Sequence, residues 1–225
     1  LFLDNMDDPD AGVRVVATRA VANHGGPEHV PLLVERLTDT DTLVRVEAAR
    51  GLQRLHNPVA VLPLINAIRE PDPRTPSALG EESPDVRSEA AHALGQYPTP
   101  RVVQALITAL GDSKLSVNSN ALRSLRTLTG QDFGLDPLAW LQWLDTTPDL
   151  FAAGGAYVYP NYSRDQMWIE YLPFVGKPPN EPAATPAGLL GIPRELAATE
   201  MQPTAPASAP LPTPLPSPGA RPQTP

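Results

Sequence analysis

Residues 39–68 read DTDTLVRVEAARGLQRLHNPVAVLPLINAI, and this stretch decides the fold. Two amphipathic helices joined by a tight turn account for it. In the first half Val44, Ala48, Gly51 and Leu52 fall on one stripe at helical spacing, and in the second Val61, Leu64, Ile65 and Ile68 do the same. Between them, Asn57 is suited to cap the second helix and Pro58 to open it, because a first-turn residue has no N–H bond to lose. A pair this small cannot bury both stripes alone, so it needs neighbours of its own kind.

The chain supplies them. Val13, Val44, Val86 and Val117 occupy one phase, at offsets of 44 − 13 = 31, 86 − 44 = 42 and 117 − 86 = 31. Four residues past each valine stands Ala17, Ala48, Ala90 or Ala121, and eight past stands Val21, Leu52, Leu94 or Leu125. The second helix repeats as well: Leu33, Val34 and Leu37 match Leu64, Ile65 and Ile68, then Leu106, Ile107 and Leu110. Self-similarity at this period predicts stacked layers sharing one continuous core.

The pattern of acid-Pro-Asp-x-x-Val-Arg, an Ala-rich helix, a turn and a Leu-rich helix resembles HEAT repeats, in the short bacterial variety close to those of the bilin lyases. Asp8, Pro9, Asp10, Val13 and Arg14 show it in full. Val44-Arg45 and Val86-Arg87 keep its centre, and Asn118 departs from the arginine. The resemblance spans residues 1–128. It implies an all-α fold: a right-handed α-solenoid, an armadillo-like superhelix, of about four helix pairs. Such solenoids serve many roles, so it says less about activity.

Three regions are expected: a solenoid over residues 1–130, an aromatic C-terminal cap over 131–175, and a disordered Pro-rich tail over 176–225. The offset of 42 marks an insertion of 42 − 31 = 11 residues within 70–83, whose Pro, Gly and acidic content predicts an exposed loop. In a repeat array such a loop is either idle or part of a binding edge. Asp136-Pro137 opens a short helix carrying Trp140, Leu141, Trp143 and Leu144, read as a degenerate second helix of the fourth repeat. Of the twelve aromatic residues, all but Phe2 and Tyr97 lie between Phe133 and Phe174. A short strand is expected at Ala156–Tyr159 and a short helix at Arg164–Tyr171. The tail holds 14 of the 29 prolines, a composition that favours extended chain; its one apolar island, 188–196, is read as a linker segment or a docking element.

The net charge is −8 and the pI about 4.9. Residues 176–225 carry three basic and three acidic side chains, so the whole excess sits in the first 175 residues. An acidic body repels phosphate backbones, which argues against nucleic acid as a partner. The absence of cysteine excludes disulfides and thiolate metal sites and leaves the compartment open. Phe2, Leu3 and Met6 stand 31 residues before Leu33, Val34 and Leu37, so the chain opens inside a second helix. The expectation is a trimmed N-terminus, with any membrane association made only through the missing segment.

No constellation of side chains points to catalysis. His24, His29, His56 and His92 never pair at i, i+4 and are never followed by Glu, as the metal hydroxylases built on this repeat require; no metal and no cofactor is expected. His24 and His29 fall at turns or helix starts and read as solvated, and His92 shares the phase of Arg19, Arg50 and Arg123, a polar position of the first helix. Arg14, Arg45 and Arg87 are expected to bond carboxylates of the inter-repeat loops, such as Asp8, Asp39 or Asp41, rather than to bind an anion. Phosphate-binding loops and nucleophile elbows are absent. Tyr157, Tyr159, Tyr162, Trp168 and Tyr171 either line a groove for a peptide or sugar or cover the end of the last repeat.

The functional expectation is a non-enzymatic scaffold that binds a protein partner through the curved surface of its second helices. Contacts are expected from Glu35, Arg36, Asn66, Arg69, Gln104 and Thr108, joined by Tyr157, Tyr159, Trp168 and Tyr171, and the Pro-rich tail offers a second attachment. Two alternatives stand beside it: a lyase-like or chromophore-handling protein of the bilin-lyase type, and an envelope-associated protein anchored upstream.

Overall fold

The fold is taken from a computed structural model, which describes residues 2–72, 80–159, 174 and 184–189. Among the described residues eight α-helices follow one another: α1 (Ala11–His24), α2 (Val30–Arg36), α3 (Thr42–Arg54), α4 (Val61–Ala67), α5 (Pro84–Leu94), α6 (Pro100–Ala109), α7 (Leu115–Thr129) and α8 (Pro137–Thr146). They form an all-helical solenoid. The odd helices are the first members of each pair and the even ones the second.

Local chemistry sets the boundaries. Asp10 accepts from Gly12 N at 2.6 Å, Asp41 from Leu43 N at 2.8 Å and Asp136 from Leu138 N at 2.9 Å, each capping the helix that follows. Asn57 caps a 3-10 turn, Pro58–Ala60, that leads into α4, and a matching turn at Pro27–His29 leads into α2. Proline at the head of each second helix costs no hydrogen bond. Gly130 ends α7 with φ 67°, the left-handed conformation that glycine adopts without strain.

The predicted phases coincide in space. Val44, Val86 and Val117 are wholly buried, as are Ala48, Ala90 and Ala121, then Leu52, Leu94 and Leu125. Leu33, Leu64 and Leu106 meet them from the second helices. Each buried Val or Leu contributes about 1.5–3 kcal/mol, so the stripe sustains the stack. Trp140 of α8 is also fully buried; its Nε1 donates to Gly134 O at 2.9 Å and its ring meets Phe133 edge-on at 4.9 Å. As α8 packs on α6, it serves as the second helix of the fourth pair.

The layers are unevenly spaced. The first helices α1, α3, α5 and α7 pack directly on one another, whereas α2, α4 and α6 barely touch. The small side chains of the Ala-rich stripe permit the close approach. At Gly51 an added Cβ would lie 2.8 Å from Ala22 Cβ and 2.8 Å from Leu33 Cδ1. A stack bends toward its closer-spaced layer, so the first helices line the inner arc. This corrects the expectation that the second helices do so. The strand expected at Ala156–Tyr159 is also absent; only an isolated antiparallel bridge joins Tyr159 to Ala184. The insertion loop is closed at its base by Glu81 N donating to Arg69 O at 2.9 Å, and its tip at 73–79 lies outside the described residues, as does the helix expected at 164–171.

Candidate interaction surfaces

Three sets of contacts define what this solenoid can offer a partner. The first is internal and sets the geometry of the rest. Arg14 donates through Nε and Nη2 to the Asp39 carboxylate at 2.9 and 2.8 Å, while Nη1 reaches Asp8 O and Pro9 O. Arg45 makes the same fork to Glu81, at 2.9 Å twice, with Nη1 on Asp39 O and Thr40 O. Arg87 repeats it on Asp112 at 2.7 and 3.1 Å, with Nη1 on Glu81 O and Glu82 O. One guanidinium thus ties the loop before its helix to the loop after the pair, which fixes the step between layers. Asp41, named as a partner from sequence, instead caps α3. The Arg14 guanidinium holds the Asp39 carboxyl below its ordinary range. At Asn118 the side chain reaches only its own loop, donating to Leu110 O at 2.8 Å.

The inner arc carries a polar row. Arg19 forks onto Glu47 at 3.1 and 2.8 Å, Arg50 joins Glu47 to Glu89 at 3.3 and 2.9 Å, and Gln53 Nε2 donates to Glu89 at 2.7 Å. With that amide spent, Gln53 Oε1 is free to accept from His92 Nδ1, 3.1 Å away. His92, at a position read from sequence as polar, is buried, with the ring of Tyr157 lying against it at 5.4 Å. Burial, with the Arg123 charge beside it, pushes the His92 pKa down to about 4. The row is therefore mutually satisfied and offers no poised acid or base.

The Tyr157 and Tyr159 side chains are buried as well, so they are not open groove walls. Tyr159 lies under the Arg54 guanidinium, 5.1 Å from its ring centroid. The Tyr157 hydroxyl has no hydrogen-bond partner among the described residues. The preceding segment is fastened to the end of α7 by Gly155 N donating to Thr127 O at 2.7 Å, and an added Cβ on Gly130 would fall 2.1 Å from Ala153 O. Trp168 and Tyr171 lie outside the described residues.

The outer arc is open. Glu35, Asn66, Arg69, Gln104 and Thr108 are all exposed on the second helices. Arg36 is not available to a partner, because it is held by Asp7 at 2.9 Å and by Met6 O at 2.7 Å. Between α2 and α4 lies a cleft of about 540 Å³ with Val34, Leu37 and Ala67 at its floor and Asn66 and Glu82 at its rim. Between α4 and α6 lies another of about 320 Å³, with Ile65, Ile68 and Ala105 below and Arg69, Glu70 and Thr108 above. The clefts were not legible in the sequence, because their width follows from the short second helices and the tight first ones.

Among the described residues no cluster of three or more His, Asp or Glu could hold a metal ion, and no helix is long and apolar enough to cross a membrane.

The match to a repeat-family model agrees with this architecture. The family model for HEAT repeats matches residues 1–79 and 74–151. No curated protein matches. A solved structure, the complex of CpcE and CpcF of phycocyanin lyase from Nostoc sp. PCC7120, is similar at 19% identity and a TM-score of 0.46, covering 66% of this chain and 89% of that one.

Proposed function

The chain belongs to the HEAT-repeat family, and on that premise we propose that it is a non-catalytic scaffold binding a protein partner on its outer arc. One observation supports this reading most: two clefts, one repeat apart on the same face, each have an apolar floor and a polar rim. Apolar anchors ringed by polar groups are what a protein partner's side chains need in order to bury area without stranding charge. The one-repeat spacing suits a partner that presents side chains at regular intervals. The base of the insertion loop, at Arg69 and Glu81, borders both clefts, which supports reading the loop as part of the binding edge.

The test is affinity capture with the full chain, followed by the same capture with Asn66→Arg and Thr108→Arg together. Both positions are exposed, so the substitutions fill the clefts without disturbing the core. Loss of the captured protein supports the outer arc as the contact face. Retention of every partner by the double variant would rule that face out.

A further inference from the structure

The turn between α3 and α4 is already paired with an extended segment. Residues 184–189 lie across it: Ala187 N donates to Arg54 O at 2.7 Å and His56 N donates to Ala187 O at 2.8 Å, an isolated parallel bridge between Leu55 and Ala187. Thr185 and Pro186 are buried. Leu189 N returns to Pro186 O at 3.3 Å, closing a tight turn with Gly188 at φ +90°. A Cβ on Gly188 would lie 2.6 Å from Pro27 Cγ and 2.8 Å from His56 O, so only glycine fits against this wall. The far end is held by Tyr159 N donating to Ala184 O at 3.1 Å.

The site is particular to this repeat. Helix α3 ends at Arg54, whose carbonyl has no partner within the helix, and His56 N–H points away from it. In the first repeat the position matching His56 is Gly25, whose N–H is spent on Val21 O at 2.8 Å. In the third it is Pro98, which has no N–H. Of these three repeats only the second presents a donor and an acceptor spaced for one residue of an extended strand. The wall behind them is polar and fixed: Gln96 Nε2 donates to Leu52 O at 2.6 Å, and the His56 ring stacks on Tyr97 at 4.8 Å.

We propose that the α3–α4 turn is a receptor for an extended peptide of the form Thr-Pro-Ala-Gly, occupied in the free protein by the chain's own residues 185–188. The recognition is strand addition: main-chain bonds give the hold, and the buried proline with the mandatory glycine gives the selectivity. A partner carrying this pattern replaces the internal segment, which therefore acts as a built-in competitor. The site is separate from the outer-arc clefts and does not depend on them.

The test uses the full chain and its Gly188→Val variant, which alters only the internal segment. The probe is a fluorescein-labelled peptide of residues 183–190. In the wild-type chain the His56 amide is protected from hydrogen exchange, and in the variant it exchanges about tenfold faster or more. The peptide binds the variant about tenfold tighter or more than the wild type, because a tethered occupant competes at high effective concentration. The same peptide with valine in place of its glycine does not bind. Ala187→Pro, which deletes the N–H to Arg54 O, reproduces the gain in peptide binding. An unprotected His56 amide in the wild type would overturn the internal occupancy. Equal or absent peptide binding to both chains, with helical content unchanged, would overturn the receptor.

Discussion

Arg87 and Asp112 form the tightest joint of the solenoid: Nε to Oδ2 is 2.7 Å, and the two side chains are 3% and 2% exposed. Two charges taken this far from water are held by their mutual geometry and by Glu81 O and Glu82 O. Removing Arg87 leaves the Asp112 carboxylate buried without its counter-charge, and removing Asp112 leaves Arg87 only the more distant Glu70 carboxylate at 3.7 Å. Arg87→Ala or Asp112→Ala therefore costs about 3–5 kcal/mol, and the joint replacement Arg87→Met with Asp112→Leu recovers most of it. Urea denaturation of the three variants checks this. Single variants within about 1 kcal/mol of wild type would show that the joint carries little.

His92 makes acid weaken the fold before the carboxylates do. Its pKa is about 4 in the folded chain against about 6.5 unfolded. Between those values the unfolded chain binds the proton and the folded one does not. The stability from neutral His92 is thus complete above about pH 6.5 and is lost as pH falls toward about 4, by about 2 kcal/mol between pH 7 and 5. His92→Gln flattens thermal melts across that window. Arg123, Gln53, Glu89 and Tyr157 stay in place in the variant, so their contributions cancel in the comparison.

Gly51→Ala tests the close approach of the first helices. In an exposed helix the change stabilises by about 0.5–1 kcal/mol. Here the new Cβ meets Ala22 Cβ and Leu33 Cδ1, and Ala22 cannot give way without moving α1. The expected outcome is net destabilisation of about 1–2 kcal/mol, read from urea unfolding. A stabilised variant would mean that α1 and α3 lie farther apart.

Tyr157→Phe runs the other way. The hydroxyl is buried without a partner among the described residues, and burial drives its pKa well above the ordinary value. Deleting it leaves the ring on His92 and removes an unpaid desolvation penalty. The expected effect is neutral to about 1 kcal/mol stabilising. A loss beyond about 1 kcal/mol in thermal melts would reveal a bond that the hydroxyl makes.

The fold was legible because the stack writes its contacts into the chain at a fixed interval. Val44, Val86 and Val117 could be aligned by subtraction, and burial followed. Arg14, Arg45 and Arg87 could be assigned to loop carboxylates for the same reason. The arrangement of the surfaces was less legible. Which layer lies inside depends on how close Ala and Gly allow the first helices to come, a difference of ångströms that periodicity does not encode. The burial of His92 was not legible because its cover, Tyr157, comes from a non-repeating segment. The seat of residues 184–189 depends on one glycine and one free N–H, signals too small to separate from a composition of Ala, Thr and Pro.

Asn118 gives the molecule a direction. Every earlier joint is riveted on both sides of its loop, while this one is fastened to its own side alone. Under a pull applied along the axis, every joint in the series carries the same tension. The C-terminal layer, where Asn118 replaces the forked arginine, therefore opens at a lower force than the layers locked by Arg14, Arg45 and Arg87.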